Sequence, residues 1–486
     1  MLFTSAEYAV FLPVVLGLYL LFGRISLRAQ NGLLLVASYF FYGWWDWRFL
    51  GLLFFSSAVD FVVGYGLEAV KDERKRWPLL LVSLCVNLGV LAFFKYYNFF
   101  VSSLVDSFAT LGVELHAPTL NVILPVGLSF YTFQALTYTI DIYRRQMKPT
   151  RDPILFLAYV SFFPQLVAGP IERAKHLLPQ FTKPRHITPD GFANGLRQIT
   201  WGLFCKLVVA DNCAGVVNAI FSTAGPVSGS LALLGGFFFA FQIYGDFSGY
   251  SHIALGTARL LGFELMQNFA TPYFSQSIPE FWRRWHISLS SWFRDYVFIP
   301  LGGSRVSKPR QIYNILFTFT LSGLWHGANW TFIAWGFLNG LYYLPKILFG
   351  EPLERFASAR VAVVRYGTMV LRMGITFGLV VIAWIFFRAN TIGQAFDFIG
   401  SIFSPTLLVN PLPFLQASGT VRGAVYAVMA IGAMVTLEWW QRDKQYALEV
   451  DTKPATLRWA TYACVIGLIV WLRYTGVALD FIYFQF

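Results

Sequence analysis

Long apolar stretches alternate with short polar ones along the whole chain. The apolar runs cover approximately 8–23, 31–47, 49–67, 77–100, 121–143, 197–221, 231–261, 366–388, 421–440 and 456–475. Many reach the roughly 20 residues that cross a hydrocarbon core. Inside such a core every backbone N–H and C=O needs a partner, and a helix supplies those locally. The runs are too long and continuous for the alternating strands of an outer-membrane barrel. The pattern predicts an all-α polytopic membrane protein of about 10–12 transmembrane helices. It also predicts one membrane domain over 1–486, within which 144–197 and 263–310 are mainly cytoplasmic or re-entrant. Two further stretches, 154–170 and 312–349, are apolar but interrupted.

Composition agrees with a bilayer as solvent. Only 13% of residues are charged and 56% are hydrophobic, whereas a soluble domain carries about 25% charged residues. The net charge of +12 would suggest nucleic acid in a soluble protein. Here nucleic acid is not an expected partner, because the positions of the charges carry the information. Thirty of the 37 basic residues fall in 24–30, 68–78, 144–151, 171–197, 263–310, 346–372 and 442–458. Between them, 1–7, 101–118, 222–230, 389–420 and 476–486 contain no Lys or Arg. The positive-inside rule therefore predicts cytoplasmic basic segments and both termini outside. Arg48, in the turn after Trp44, Trp45 and Trp47, is the one exception to the alternation. The N-terminus lacks the basic start and cleavage site of a signal peptide, so the first run reads as a retained helix.

The same alternation sorts the interrupted stretches. Residues 154–170 lie between two basic segments and contain Pro164, Gly169 and Pro170, as a segment that enters and returns on one side would. Irregular backbone is tolerated at that depth only where protein or water surrounds it. Residues 312–349 are flanked by basic segments as well, so two short helices cross there or one segment dips in and returns. His326 sits near the turning point.

Ionisable groups at membrane depth are costly and mark functional sites by default. In LSGLWHGANW (321–330), His326 lies in apolar sequence between Gly323 and Gly327. A neutral imidazole there can take a proton from a hydroxyl; the competing reading is a histidine that ties two helices together. In EFWRRWHISLSSWFRDY (280–296), Trp282, Trp285, Leu289 and Trp292 share one face at helical spacing. Arg283 and Arg284 lie on or beside the polar face and Arg294 follows, which predicts an interfacial amphipathic helix against the cytoplasmic leaflet. Its His286 is either a site residue or incidental. In FQIYGDFSGYS (241–251), Asp246 interrupts a membrane run, and Gly245 and Gly249 form a small-residue packing face. Asp246 is expected to pair with a buried cation or to orient a histidine.

Other signals carry less. His186 to Gly191 matches the HxxxDG pattern of some soluble acyltransferases, yet it lies in a basic loop, where Asp190 is placed to cap the next helix. The four cysteines are scattered and the histidines lack ligand spacing, so neither disulfides nor a bound metal is expected.

ASYFFYGWW (37–45), LPVGLSFYTFQ (124–134), FFPQLVAGPIER (162–173), YGDFSGYS (244–251), EFWRRWHISLSSWFRDY (280–296), IPLGG (299–303), LSGLWHGANW (321–330) and the closing FIYFQF (481–486) together resemble the membrane-bound O-acyltransferases. Within that family they resemble the alginate O-acetyltransferase-like bacterial branch. The resemblance implies a membrane-embedded funnel with an essential histidine at its narrow middle, matched by His326, and a second recurrent position matched by His286. It implies a polysaccharide O-acetyltransferase of the bacterial inner membrane. Such an enzyme holds no cofactor and takes its acyl group from a cytoplasmic thioester such as acetyl-CoA. A separate extracytoplasmic SGNH-type protein and a polysaccharide are the implied partners, besides membrane lipid.

On that reading Arg283, Arg284, Arg294 and Arg305 are candidates to meet the donor's phosphates. His326 is the expected base, with His286 as a second catalytic residue and Asp246, Trp325 and Asn329 in support. A covalent acyl-histidine is a variant of this chemistry. Peptidoglycan O-acetylation and D-alanyl transfer to teichoic acid are the alternative activities. A transporter or flippase would more often show paired half-repeats and several midplane charges, and a scaffold for polysaccharide export would tolerate loss of both histidines.

Overall fold

A computed structural model of the chain describes residues 1–115, 117–350, 362–476 and 481–484. Part of the basic segment 346–372, namely 351–361, lies outside the described residues. So do His116, within the basic-free segment 101–118, and Gln485 and Phe486 of the closing motif. Among the described residues the protein is helical and contains no strand. Among the described residues, eight helical stretches are long and apolar enough to cross a membrane: Ala6–Gly23, Leu27–Ala69, Glu73–Thr110, Pro189–Phe221, Gly229–Leu260, Val364–Arg388, Val421–Trp440 and Ala455–Leu472.

This number differs from the sequence expectation for identifiable reasons. The stretch Leu27–Ala69 contains two of the predicted helices, Leu27–Asp46 and Leu50–Ala69, joined by a single tight turn at Trp47–Phe49. Arg48 sits in that turn, tied to Asp46 at 2.5 Å, so its charge is locally neutralised. The run predicted over 121–143 becomes helical only at Leu128 and ends at Tyr143. Gly127 precedes it with φ 75°, and the carbonyl of Leu166 occupies the space that a β-carbon would need. Glycine alone accepts both demands without strain.

The chain divides into two compact units. The first comprises Met1–Ile199 and Ile253–Met266. In it, the Tyr8 hydroxyl bonds the Thr257 hydroxyl at 2.6 Å, and the Tyr19 hydroxyl donates to the Leu261 carbonyl at 2.7 Å. The interrupted stretch 154–170 is broken helix. Asp152 caps the helix Pro153–Ser161, which stops at Phe162; one turn, Phe163–Leu166, follows, and the chain then runs without helix to Ala174. Residues 158–172 are buried in protein, which is what allows non-helical backbone in a membrane protein. Asp190 does not cap the next helix. Pro189 starts that helix, and Thr188 Oγ1 accepts the Gly191 N–H at 3.0 Å, because the fixed φ of proline suits the first helical position and moves the cap one residue earlier.

The second unit comprises Thr200–His252 and Gln267–Phe486. The interrupted stretch 312–349 is a helical hairpin in it, Lys308–His326 and Trp330–Phe349. Gly323 and Gly336 face one another across the hairpin, each against backbone of the opposite helix. These small residues serve the approach of another backbone. Gly245 and Gly249 do the same where Gly229–Leu260 packs on the backbone of Gly202 and Cys205, as the small-residue face predicted.

Candidate active site

The segment predicted as one amphipathic helix over 280–296 is broken. Ile278–Arg284 and Ile287–Phe293 are separate short helices, and His286 stands between them with φ 43°, ψ 55°. Its aromatic face is also turned inward: Trp282, Trp285, Leu289 and Trp292 are all buried in protein. The face thus packs a core and offers no aromatic surface to lipid. Left-handed backbone is uncommon for a residue with a β-carbon and is held by its surroundings. The holder is Asn268, whose carbonyl accepts the Ile287 N–H at 2.9 Å.

The side chain of Asn268 then fixes the imidazole. Its Oδ1 accepts the Ser288 N–H at 3.3 Å and the Ser288 hydroxyl at 2.9 Å. An atom that accepts a backbone N–H is an oxygen, so the amide orientation is determined. The same Oδ1 lies 3.1 Å from His286 Nδ1. Nδ1 therefore donates, and Nε2 is left as the acceptor of the ring. His286 is fully buried and lies outside the eight spans. Burial pushes its imidazole down to about 3, so the ring is neutral at physiological pH.

His326 ends the helix Lys308–His326, and the chain turns immediately after it through Gly327. The two imidazoles lie 6.5 Å apart, centre to centre. Trp325 stands 5.0 Å from His326 and 6.2 Å from His286. Trp335, Phe387 and Tyr483 complete an aromatic lining 5.0, 5.4 and 5.7 Å from His326. Both imidazoles are thus buried within one chamber of aromatic side chains.

The remaining predicted residues fall in different places. Asn329 caps Trp330–Phe349 through the Thr331 N–H and donates to the Asn390 carbonyl at 3.1 Å, so it fixes the turn that carries His326. Asp246 is buried and bound to Lys206 at 2.7 Å. A cavity of about 340 Å³ is lined by Arg283, Arg294, Ser290, Ser291, Ser322 and Tyr343 among others. Arg284 is instead engaged with Glu280 at 2.9 Å, and Arg305 is exposed away from the cavity lining. Ser322 lies four residues before His326 on the same helix, where side chains are neighbours on one face. The cavity thus holds two cationic side chains and a hydroxyl one helical turn before His326, while neither histidine is in its lining. Sequence reasoning missed Asn268, Lys206, Ser322 and Tyr483. Lys206 alone carried a signal, as an intramembrane cation outside every basic segment.

The membrane-bound O-acyltransferase family model matches residues 113–381. The chain belongs to the membrane-bound O-acyltransferase family. As a family member it is a multi-pass membrane enzyme, an acyltransferase. It is 41% identical over 408 residues to the probable alginate O-acetylase AlgI of Pseudomonas syringae, covering 83% of this chain and 75% of that one. Against the corresponding protein of Pseudomonas aeruginosa the figures are the same, 41% over 408 residues with 83% and 75% covered. It is also 35% identical over 419 residues to the peptidoglycan O-acetyltransferase of Helicobacter pylori, covering 79% and 76%. In this acyltransferase both histidines lie within the family match, as do Asn268, Arg283, Arg294 and Ser322.

Proposed function

We propose that this acyltransferase takes an acetyl group from a cytoplasmic thioester, acetyl-CoA, and passes it through the inner membrane for O-acetylation of an extracytoplasmic polysaccharide such as alginate. The observation that carries the reading is the buried pair His286 and His326, 6.5 Å apart; a separate cavity lined by Arg283 and Arg294 includes Ser322, one turn before His326. The arginines suit the phosphates of the donor, and the narrow apolar chamber suits its acyl arm. His326 takes the proton of an acceptor hydroxyl as that oxygen attacks the thioester carbonyl. The C–S bond then breaks, and the departing thiolate regains the proton from the imidazolium. His286, with Nδ1–H held by Asn268, keeps Nε2 available as a second base beside His326.

The direction of transfer rests on the charge pattern. Basic segments read as cytoplasmic support both termini outside, and on that reading His326 lies at the far turn of a hairpin that starts and ends inside. A separate periplasmic SGNH-type acetyltransferase would complete delivery to the polymer. The test is His326→Ala in membranes supplied with labelled acetyl-CoA and that partner. We expect transfer to fall by about 10²–10⁴-fold in a variant whose unfolding temperature matches wild type. Undiminished transfer would sink the reading. Peptidoglycan is the second acceptor to examine, because the Helicobacter pylori relative covers 79% of the chain. Mass analysis of both polymers from cells with and without the protein separates the two.

A further inference from the structure

Asp246 is joined to the chamber by a second bond. Its Oδ1 receives Lys206 Nζ at 2.7 Å, and its Oδ2 receives the backbone N–H of Ile482 at 2.5 Å. Lys206 also holds Asp211 at 2.8 Å. All three ionic side chains are at least nine-tenths buried. Two carboxylates around one ammonium leave a net negative charge, and a buried carboxylate in that position needs a further donor. The Ile482 amide supplies it.

The segment that carries this amide borders His326 directly and His286 through Phe247. Phe481 packs on Tyr250 at 4.5 Å, and Tyr483 packs on Phe247 at 4.6 Å and stands 5.7 Å from His326. Phe247 in turn meets His286 edge-on at 4.6 Å. Phe247 directly follows Asp246, so one turn of helix grips the segment through its backbone and presses its ring against Tyr483.

We propose that Asp246 is a positioning residue: oriented by Lys206, it holds Phe481–Tyr483 in place as one wall of the histidine chamber. This rests on the acyl-transfer reading for its consequence in activity, while the grip itself does not. Three variants of the full-length protein in detergent test it. Asp246→Ala removes the acceptor, Asp246→Asn keeps an oxygen there, and Ile482→Pro removes the donor N–H while sparing the ion pair. Carboxypeptidase digestion followed by intact mass reads whether the segment is held.

In wild type, trimming should stop by Tyr483. In Asp246→Ala it should run past Ile482, and in Asp246→Ala and Ile482→Pro acetyl transfer should fall in kcat by about tenfold to a hundredfold with KM for acetyl-CoA little changed. Asp246→Asn should restore the protection and most of the lost rate. Wild-type protection in Asp246→Ala would overturn the proposal, as would wild-type kcat in Ile482→Pro or equal trimming of the Asn and Ala variants. If His326→Ala leaves transfer intact while Asp246→Ala still frees the segment, the catalytic reading fails and the positioning role stands.

Discussion

Asn268 Oδ1 stands 3.1 Å from His286 Nδ1 and receives both donors of Ser288, eighteen or more residues along the chain. That geometry assigns the proton of a buried imidazole without any hydrogen being seen. Asn268→Leu keeps the volume and removes the acceptor, so the ring is free to take the other tautomer. We expect kcat for acetyl transfer to fall by about a hundredfold, the lower end of a general-base contribution, with KM for acetyl-CoA nearly unchanged. Asn268→Asp, which retains an oxygen, should lose much less. Equal activity of wild type and the leucine variant would remove Asn268 from the mechanism.

The hairpin that ends at His326 depends on Gly323. A β-carbon there would meet the Phe332 carbonyl and Gly336 of the facing helix. Gly323→Val should force the two helices apart and cost about 1–3 kcal/mol, the usual range for overpacking. Thermal unfolding in detergent measures the cost, and residual transfer at low temperature reads the displacement of His326. A variant with wild-type stability would contradict the close contact.

Lys206 is the shared cation of two buried carboxylates. Lys206→Met leaves both without a cation, and breaking such a cluster costs about 3–5 kcal/mol. Replacing Asp211 and Asp246 by Asn in the same chain should recover most of that loss, since neutral groups carry no unpaired charge. Unfolding temperatures of the single and triple variants make the comparison; failure of the triple variant to recover would show that packing, and not charge, sets the cost.

In the first unit, buried Glu172 receives His176 Nδ1 at 2.7 Å and the Met266 N–H at 2.5 Å. The bond to Glu172 raises His176 above its ordinary value, against the opposing effect of partial burial. A folded value above the unfolded one means that this pair stabilises fully below the ordinary histidine pKa of about 6.5. The contribution is lost as pH rises through the higher folded value. The gap in unfolding temperature between wild type and His176→Gln should therefore shrink from about pH 6 to about pH 9. A gap that widens with pH would refute the assignment.

Much of this architecture is visible in one dimension because a bilayer tolerates few charges. The basic segments and apolar runs located the helices, and the paired basic flanks of 312–349 put His326 at a turn, where the hairpin has it. The break at Trp285–His286 stayed hidden because both short helices bury the same face, so the aromatic spacing runs on as if the helix were continuous. Nothing in a histidine announces a positive φ. Asn268 and Ile482 were invisible for a different reason: each acts through contacts far away in the chain, one of them through a backbone N–H that any residue but proline would supply. Asp246 was expected to have a buried cationic partner, but Lys206 is forty residues away and no periodicity links them.

The first unit is discontinuous, since it is completed by Ile253–Met266. Tyr8 and Tyr19 find their partners only at Thr257 and Leu261, 249 and 242 residues later. Until those residues have been made, two phenol hydroxyls of an inserted helix lack the oxygens that they will bond. During synthesis at about 5–20 residues per second that delay lasts on the order of ten seconds or more. For biogenesis, then, the N-terminal helices have to wait in the membrane, and a nascent chain stopped short of Thr257 is a natural substrate for quality-control proteolysis.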